Sequence, residues 1–265
     1  MAVIEDIYRY MDHLAPFALQ MDFDNAGFLV GRKETLVSRI LVALDVTEPV
    51  VAEAKKLGCQ LIVSHHPVIF HPARGITDET VTGRILLALT EEKIGAICAH
   101  TNLDAVQGGV NDCLARALGL TQVEQLHQDG VDGNGAPYGI GRVGLAHQSG
   151  MSAGEYAQYV KERLNAASVR CEDGGKPVRR VAVGGGACGS MLADAAAAGC
   201  DTFVTADVKY DQYLEAHGLG ITLMDAGHYA TENVVCPMLA EELGAAFPEV
   251  EVLLSQTHQE IYQGF

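Results

Sequence analysis

The chain has 265 residues, enough for one large α/β domain or two smaller ones. Hydrophobic residues make up 48% and charged residues 20%, a globular composition that excludes a disordered chain. The formal net charge of −16 argues against nucleic acid as a partner, because phosphate binding needs clustered Lys and Arg, and it concentrates cations around the molecule.

Ile4, Ile7, Met11 and Leu14, spaced by three or four, predict an opening amphipathic helix. A strand is expected over Ile40–Leu44, then a helix capped by Thr47 with Pro49 in its first turn, ending near Gly58. The strand Leu61–Val63, a helix over about Glu79–Lys93, the strand Ile94–Ala99 and a helix over Val110–Leu118 complete this half. Residues 122–142 carry Gly and Asp with no clear period and read as a boundary region. Ser152 and Glu155 form a capping box that opens a helix to about Leu164. The strand Val178–Val183, the turn Gly184-Gly185-Gly186 and an Ala-rich helix ending at Gly199 follow. Strands Thr202–Val204 and Ile221–Met224, a helix over Ala230–Leu243 and a last strand Val250–Leu254 close the chain.

Continuous β-branched runs between helices indicate buried, mainly parallel strands in an α/β fold. Ile40–Pro67 aligns without a gap on Val181–Val208 at a constant offset of 141, with Gly58-Cys59 falling on Gly199-Cys200. This predicts two related α/β halves, each a mainly parallel or mixed sheet flanked by helices, with a site in the cleft between them. The expected domains are 1–125, 126–225 and a C-terminal segment 226–265 that returns to the site. No apolar run reaches the ~18 residues of a membrane span, and the start, with Glu5, Asp6 and Asp12, lacks the features of a signal peptide. Seven scattered cysteines without a Cys-x-x-Cys pair read as reduced and mostly buried, so a cytoplasmic location is expected.

Three strands end in potential metal ligands: His65-His66 after the first, His100 and Asp104 after the second, His228 and Glu232 after the third. Ligands bind outside the carboxyl ends of strands in open α/β sheets, so these clusters are expected to share one place. Four imidazoles and two carboxylates suit Zn, Fe, Mn, Ni or Co without distinguishing them. His228 and Glu232, at i and i+4, share one face of a helix. Six ligands are too many for one tetrahedral ion that must also hold substrate, and suit two divalent ions with open positions. His13, His71, His127, His147, His217 and His258 lack such company and read as solvated or structural. Gly184-Gly185-Gly186 is a tight turn or a phosphate cradle, and Lys209-Tyr210 a solvated helix start or a cleft contact. Asp45 is placed to hydrogen-bond a metal-ligating imidazole.

At these residues the sequence resembles the GTP cyclohydrolase 1 type 2 homologue family, the NIF-three-like dinuclear-metal proteins, over nearly the whole chain. The resemblance rests on Asp24-Asn25-Ala26-Gly27-Phe28-Leu29-Val30-Gly31, Ala43-Leu44-Asp45-Val46-Thr47 and Ser64-His65-His66-Pro67-Val68-Ile69-Phe70. It continues in His100-Thr101-Asn102-Leu103-Asp104, Gly108-Gly109-Val110-Asn111-Asp112, Gly184-Gly185-Gly186 and Gly227-His228-Tyr229-Ala230-Thr231-Glu232. It implies a short bacterial form with metal ligands His65, His66, His100, Asp104, His228 and Glu232, and a toroidal homohexamer. The chain departs from the pattern at Phe23, where Trp is frequent, and at Asp211, where His is usual. The expected function is a metal-dependent hydrolase of a nucleotide or phosphate-containing small molecule, with a metal-held water and Glu232 or Asp104 as base. The alternative is a non-enzymatic protein with structural or stored metal.

Overall fold

The computed structural model describes residues 2–133 and 135–263. The chain forms two compact units, Met1–Leu103 with Cys236–Gln259, and Asp104–Val235 with Glu260–Phe265. This division differs from the sequence-based boundaries 1–125, 126–225 and 226–265. The helix Val110–Ala117 packs on the strands Arg142–Leu145 and Arg180–Val183 of the second unit. The strand Glu251–Leu254 instead pairs with Arg39–Ala43 of the first.

In the first unit a five-stranded sheet runs Glu251–Leu254, Arg39–Ala43, Leu61–Ser64, Gly95–Cys98, Gly27–Val30. The first four are parallel and Gly27–Val30 is antiparallel at the edge. Strands such as Leu61–Ser64 are buried throughout because both faces are covered. One face packs Leu41, Ile62 and Ala96 against Val50, Val51 and Ala54 of the helix Glu48–Leu57 and Ile85 and Leu89 of the helix Val81–Glu91. On the other, Ile4 of the helix Ile4–Leu14 approaches Gly95, where an added Cβ would lie 2.6 Å from its Cδ1. That helix also meets the helix Val235–Ala246, Tyr10 donating to Glu242 at 2.9 Å.

The second unit carries a six-stranded mixed sheet in the order Arg170–Glu172, Thr222–Asp225, Thr202–Thr205, Arg180–Val183, Arg142–Leu145, Thr121–Gln125. Alternation along the strands sorts the core into two layers. Val181, Val183, Val204 and Met224 face Leu114, Tyr156 and Val160, while Ala182, Phe203 and Leu223 face Leu192, Ala195 and Ala216. The stretch expected as a boundary, 122–142, instead supplies an outer strand and the small hairpin Gly130–Val131 with Pro137–Tyr138. The strand Thr121–Gln125 is almost wholly exposed, so it has no buried face to mark its period in the sequence.

The internal repeat holds at the level of backbone hydrogen bonds. Ile40 pairs with Leu61 in the first sheet, and Val181 with Thr202 in the second, each 141 residues further on. Gly58 and Gly199 end their helices in the left-handed region, at φ 69° and 73°. Gly58 N donates to Lys55 O and Cys59 N to Ala54 O; Gly199 N donates to Ala196 O and Cys200 N to Ala195 O. The side chain of Gln60 takes the amides of Ser38 and Arg39, and that of Asp201 takes those of Arg179 and Arg180. The same turn, cap and strand entry are thus built twice from different side chains.

Candidate metal centre

Three imidazoles gather in the first unit. His65 and His66 follow the strand Leu61–Ser64 directly, and His100 lies two residues beyond the neighbouring parallel strand Gly95–Cys98. After Ser64 the chain turns at once, with Ser64 Oγ donating to His66 O at 2.8 Å and His66 N to Leu44 O at 2.9 Å. The ring centroids lie 5.0 Å (His65 and His66), 5.1 Å (His65 and His100) and 5.4 Å (His66 and His100) apart. One nitrogen from each comes within 4.8 Å of the others, close enough for a common ion.

Each ring is oriented through Nδ1. His65 Nδ1 bonds Ala99 O at 2.8 Å, His66 Nδ1 bonds Asp45 Oδ1 at 2.7 Å, and His100 Nδ1 bonds Asp24 Oδ1 at 2.8 Å. In the second unit His228 Nδ1 bonds Asp207 Oδ2 at 2.6 Å. A carbonyl or carboxylate acceptor places the proton on Nδ1 and the lone pair on Nε2, the arrangement of a metal-ligating histidine with its supporting partner. Burial pushes the Asp24 carboxyl up, but hydrogen bonds from His100 and Thr101 outweigh it and hold it well below the usual carboxylate range. Asp45 behaves alike, burial being overcome by hydrogen bonds from His258 and His66. Both remain anionic acceptors.

The second unit holds two buried carboxylates that could bind a metal. Asp104 is buried on the short helix Thr101–Ala105, and Asn111 Nδ2 donates to its carbonyl at 2.9 Å. Gly227, at φ 88°, precedes the one-turn helix His228–Glu232. There the i, i+4 spacing brings His228 Nε2 within 2.9 Å of Glu232 Oε2. Glu232 is 3% and Asp104 8% exposed, and a carboxylate oxygen of each lies within 4.8 Å of the other. Two anions that near in a buried place repel strongly, which a cation or a shared proton offsets. The donor set therefore fits a divalent ion in both ligand type and charge.

The Gly184-Gly186 turn supports this carboxylate. Gly185 N donates to Asn111 Oδ1 and Gly186 N to Thr231 Oγ1, both at 3.0 Å, so these amides are committed within the protein. Gly186 sits at φ 65°, and a Cβ there would lie 2.0 Å from Glu232 Oε1. The turn is tight because the backbone must pass against Glu232, rather than because it cradles a phosphate. Cys188 donates to Gly185 O at 3.1 Å, and burial, with Asp104 and Glu232 nearby, pushes its thiol up and keeps it protonated. Lys209 and Tyr210 are exposed at the start of the helix Tyr210–Leu219.

Sequence reasoning assigned no role to Asp24, Asp207 or His258. Asp24 was signalled only by its place in a motif. His258, read from sequence as solvated or structural, has a side chain only 7% exposed, with Nε2 2.9 Å from Asp45 Oδ2. Cys59, Cys98, Cys113, Cys171, Cys188 and Cys200 are free thiols, with Cys171 exposed and Cys188 half-buried. Among the described residues no helix is long and apolar enough to cross a membrane.

Fold and donor set together define an α/β protein with histidine and carboxylate groups that can bind metal. The model of the Duf34/NIF3 (NGG1p interacting factor 3) family matches residues 2–261, and the chain belongs to that family. It is 31% identical over 98% of both chains to a Clostridium perfringens protein named GTP cyclohydrolase 1 type 2 homolog. A Streptomyces coelicolor protein of the same name is 37% identical over 92% of this chain and 84% of its own. The crystal structure of a Bacillus cereus protein related to NIF3 superposes with a TM-score of 0.93 at 25% identity, covering 100% of this chain and 99% of that one.

Proposed function

We propose that the chain is a dinuclear metal-dependent hydrolase acting on a nucleotide or another phosphate-containing small molecule. His65, His66, His100, Asp104, His228 and Glu232 would hold two divalent ions. The observation that carries this reading is the common treatment of the four imidazoles, each fixed through Nδ1 by a carbonyl or carboxylate. The exposed His217 is also bonded through Nδ1, to Glu172 at 2.7 Å, so the support comes from that pattern combined with the gathering of His65, His66 and His100 within reach of a common ion.

When bound, such ions supply Lewis acidity and lower the pKa of a water toward ~7. The chain's own part is positional and electrostatic. Asp24, Asp45 and Asp207 hold three rings in one tautomer. Asp104 and Glu232 offset cationic charge, and either carboxylate can take up a proton, Glu232 at the oxygen beside His228 Nε2. A cavity of about 470 Å³ in the first unit, lined by Phe70, His71, Arg74, Thr80 and Thr82, begins at the ring that packs edge-on to His100. Its size, aromatic wall and cation suit a nucleotide-sized anion. The relatives' name, GTP cyclohydrolase, points to the same substrate class. We extend to this chain a homohexameric assembly and a cytoplasmic location with reduced thiols.

The test is to load the full chain with Zn, Mn, Fe, Co or Ni and assay GTP and a panel of nucleotides and phosphoesters. His65→Ala and His100→Ala should lose metal and turnover together. A wild-type chain that holds two ions and turns over nothing would favour the non-enzymatic alternative, a structural or storage site.

A further inference from the structure

The segment that leaves the strand Glu251–Leu254 is tied to the helix Glu48–Leu57 by one side chain. Glu53 Oε2 accepts from Ser255 Oγ at 2.5 Å and Thr257 N at 3.3 Å, and Oε1 accepts from Gln256 N at 2.8 Å. His258 N then donates to Ser255 Oγ at 3.2 Å. This anchoring delivers the His258 ring to Asp45. Nε2 of His258 lies 2.9 Å from Asp45 Oδ2, while Asp45 Oδ1 accepts from His66 Nδ1 at 2.7 Å. One carboxylate therefore joins two imidazoles, one a ligand and one 192 residues further along the chain.

We propose that His258 is a positioning residue for the metal ligand His66, acting through Asp45. A carboxylate held at one oxygen can still rotate about its Cβ–Cγ bond and swing its other oxygen. Held at both, its plane is fixed, and so is the direction from which it receives the His66 proton. The outer partner also draws charge from Asp45 and so tempers how strongly Asp45 polarises His66. Supporting groups of this kind set both the orientation and the basicity of a ligand. The C-terminal segment is thereby part of the centre without supplying a ligand. The inference rests on the metal-centre reading above.

The test uses the full-length chain and titration with Co²⁺ and Zn²⁺ against a chromophoric chelator, with the visible spectrum of the Co²⁺ form as a second readout. His258→Ala should weaken uptake of one ion about ten- to a hundredfold and shift the Co²⁺ bands, while the Tm of the metal-free protein stays unchanged. His258→Gln, whose amide nitrogen can reach the position of Nε2, should restore most of the affinity and the spectrum. Wild-type affinity and spectrum in His258→Ala would overturn the proposal. So would a loss that His258→Gln fails to restore and that accompanies a lowered metal-free Tm, since that marks a merely structural role. If His258→Ala does not fold, Asp45→Asn takes its place. It should lose affinity where His258→Gln keeps it, and wild-type affinity in Asp45→Asn would sink the idea. A wild-type chain that takes up no metal refutes the metal centre itself, whereas a loaded wild type with an equally tight His258→Ala refutes only the role of His258.

Discussion

His100 Nδ1 lies 2.8 Å from Asp24 Oδ1, while Asp24 Oδ2 takes the Thr101 amide at 3.0 Å and the Thr101 hydroxyl. A single carboxylate thus fixes a ring and the backbone immediately after it, at the point where the strand Gly95–Cys98 gives way to the helix Thr101–Ala105. The two acceptor oxygens are divided between the two tasks. Asp24→Asn keeps the shape but replaces one acceptor by a donor, so one of these bonds must be lost. Metal affinity, measured by competition with a chelator, should fall about ten- to a hundredfold. An affinity within twofold of wild type would show that His100 does not need this anchor.

Gly186→Ala and Gly199→Ala form a matched pair, because both glycines sit in the left-handed region, at φ 65° and 73°. They differ in what a Cβ would meet: Glu232 Oε1 at 2.0 Å for Gly186 and nothing within 4 Å for Gly199. Gly199→Ala should cost about 1–2 kcal/mol of stability from the backbone alone and leave metal uptake intact. Gly186→Ala should cost the same backbone strain and also displace Glu232, so its metal affinity falls. Equal metal affinity in the two variants would contradict the close approach of the Gly184-Gly186 turn to the ligand.

Much of this was legible in the sequence, for identifiable reasons. The offset of 141 between Ile40–Pro67 and Val181–Val208 emerged because buried strands and their Gly-ended helices leave a dense apolar pattern, and the register Ile40 to Leu61 recurs in Val181 to Thr202. Thr47 as a cap and the Ser152–Glu155 box were visible because capping needs particular residues at fixed spacing. The outer strands were not visible. Gly27–Val30 and Thr121–Gln125 have no fully covered pair of faces, so no continuous apolar run marks them. Among the candidate site residues, the histidines stand at or within three residues of strand ends, with Asp104 and Glu232 four residues after a histidine, so position and spacing mark them in the sequence. Their supports Asp24, Asp207 and His258 act through contacts between residues far apart in the chain, and no local spacing records those.

Glu53 gives a prediction with a pH signature. Burial pushes its carboxyl up, but the hydrogen bonds from Ser255, Gln256 and Thr257 outweigh it and hold the group below its ordinary value. A lowered folded-state value means that this stabilisation is complete above the unfolded pKa, about 4.3, and is lost as the pH falls through the folded value. Glu53→Gln should therefore be less stable than wild type at pH 7 by about 1 kcal/mol, with the gap closing below about pH 4. Denaturant midpoints of the two proteins between pH 3 and pH 8 check it. A gap that stays constant with pH would rule out the charged carboxylate as its source.

The most direct measurement of the central claim is the number of ions per chain. The full-length protein, stripped by chelation and reconstituted with excess Zn, Mn or Co, would be desalted and its metal counted by elemental mass spectrometry. Two ions per chain are expected for the wild type, with fewer in His65→Ala and in Glu232→Ala. One ion or none in the reconstituted wild type, or an unchanged count in both variants, would contradict the paired metal centre.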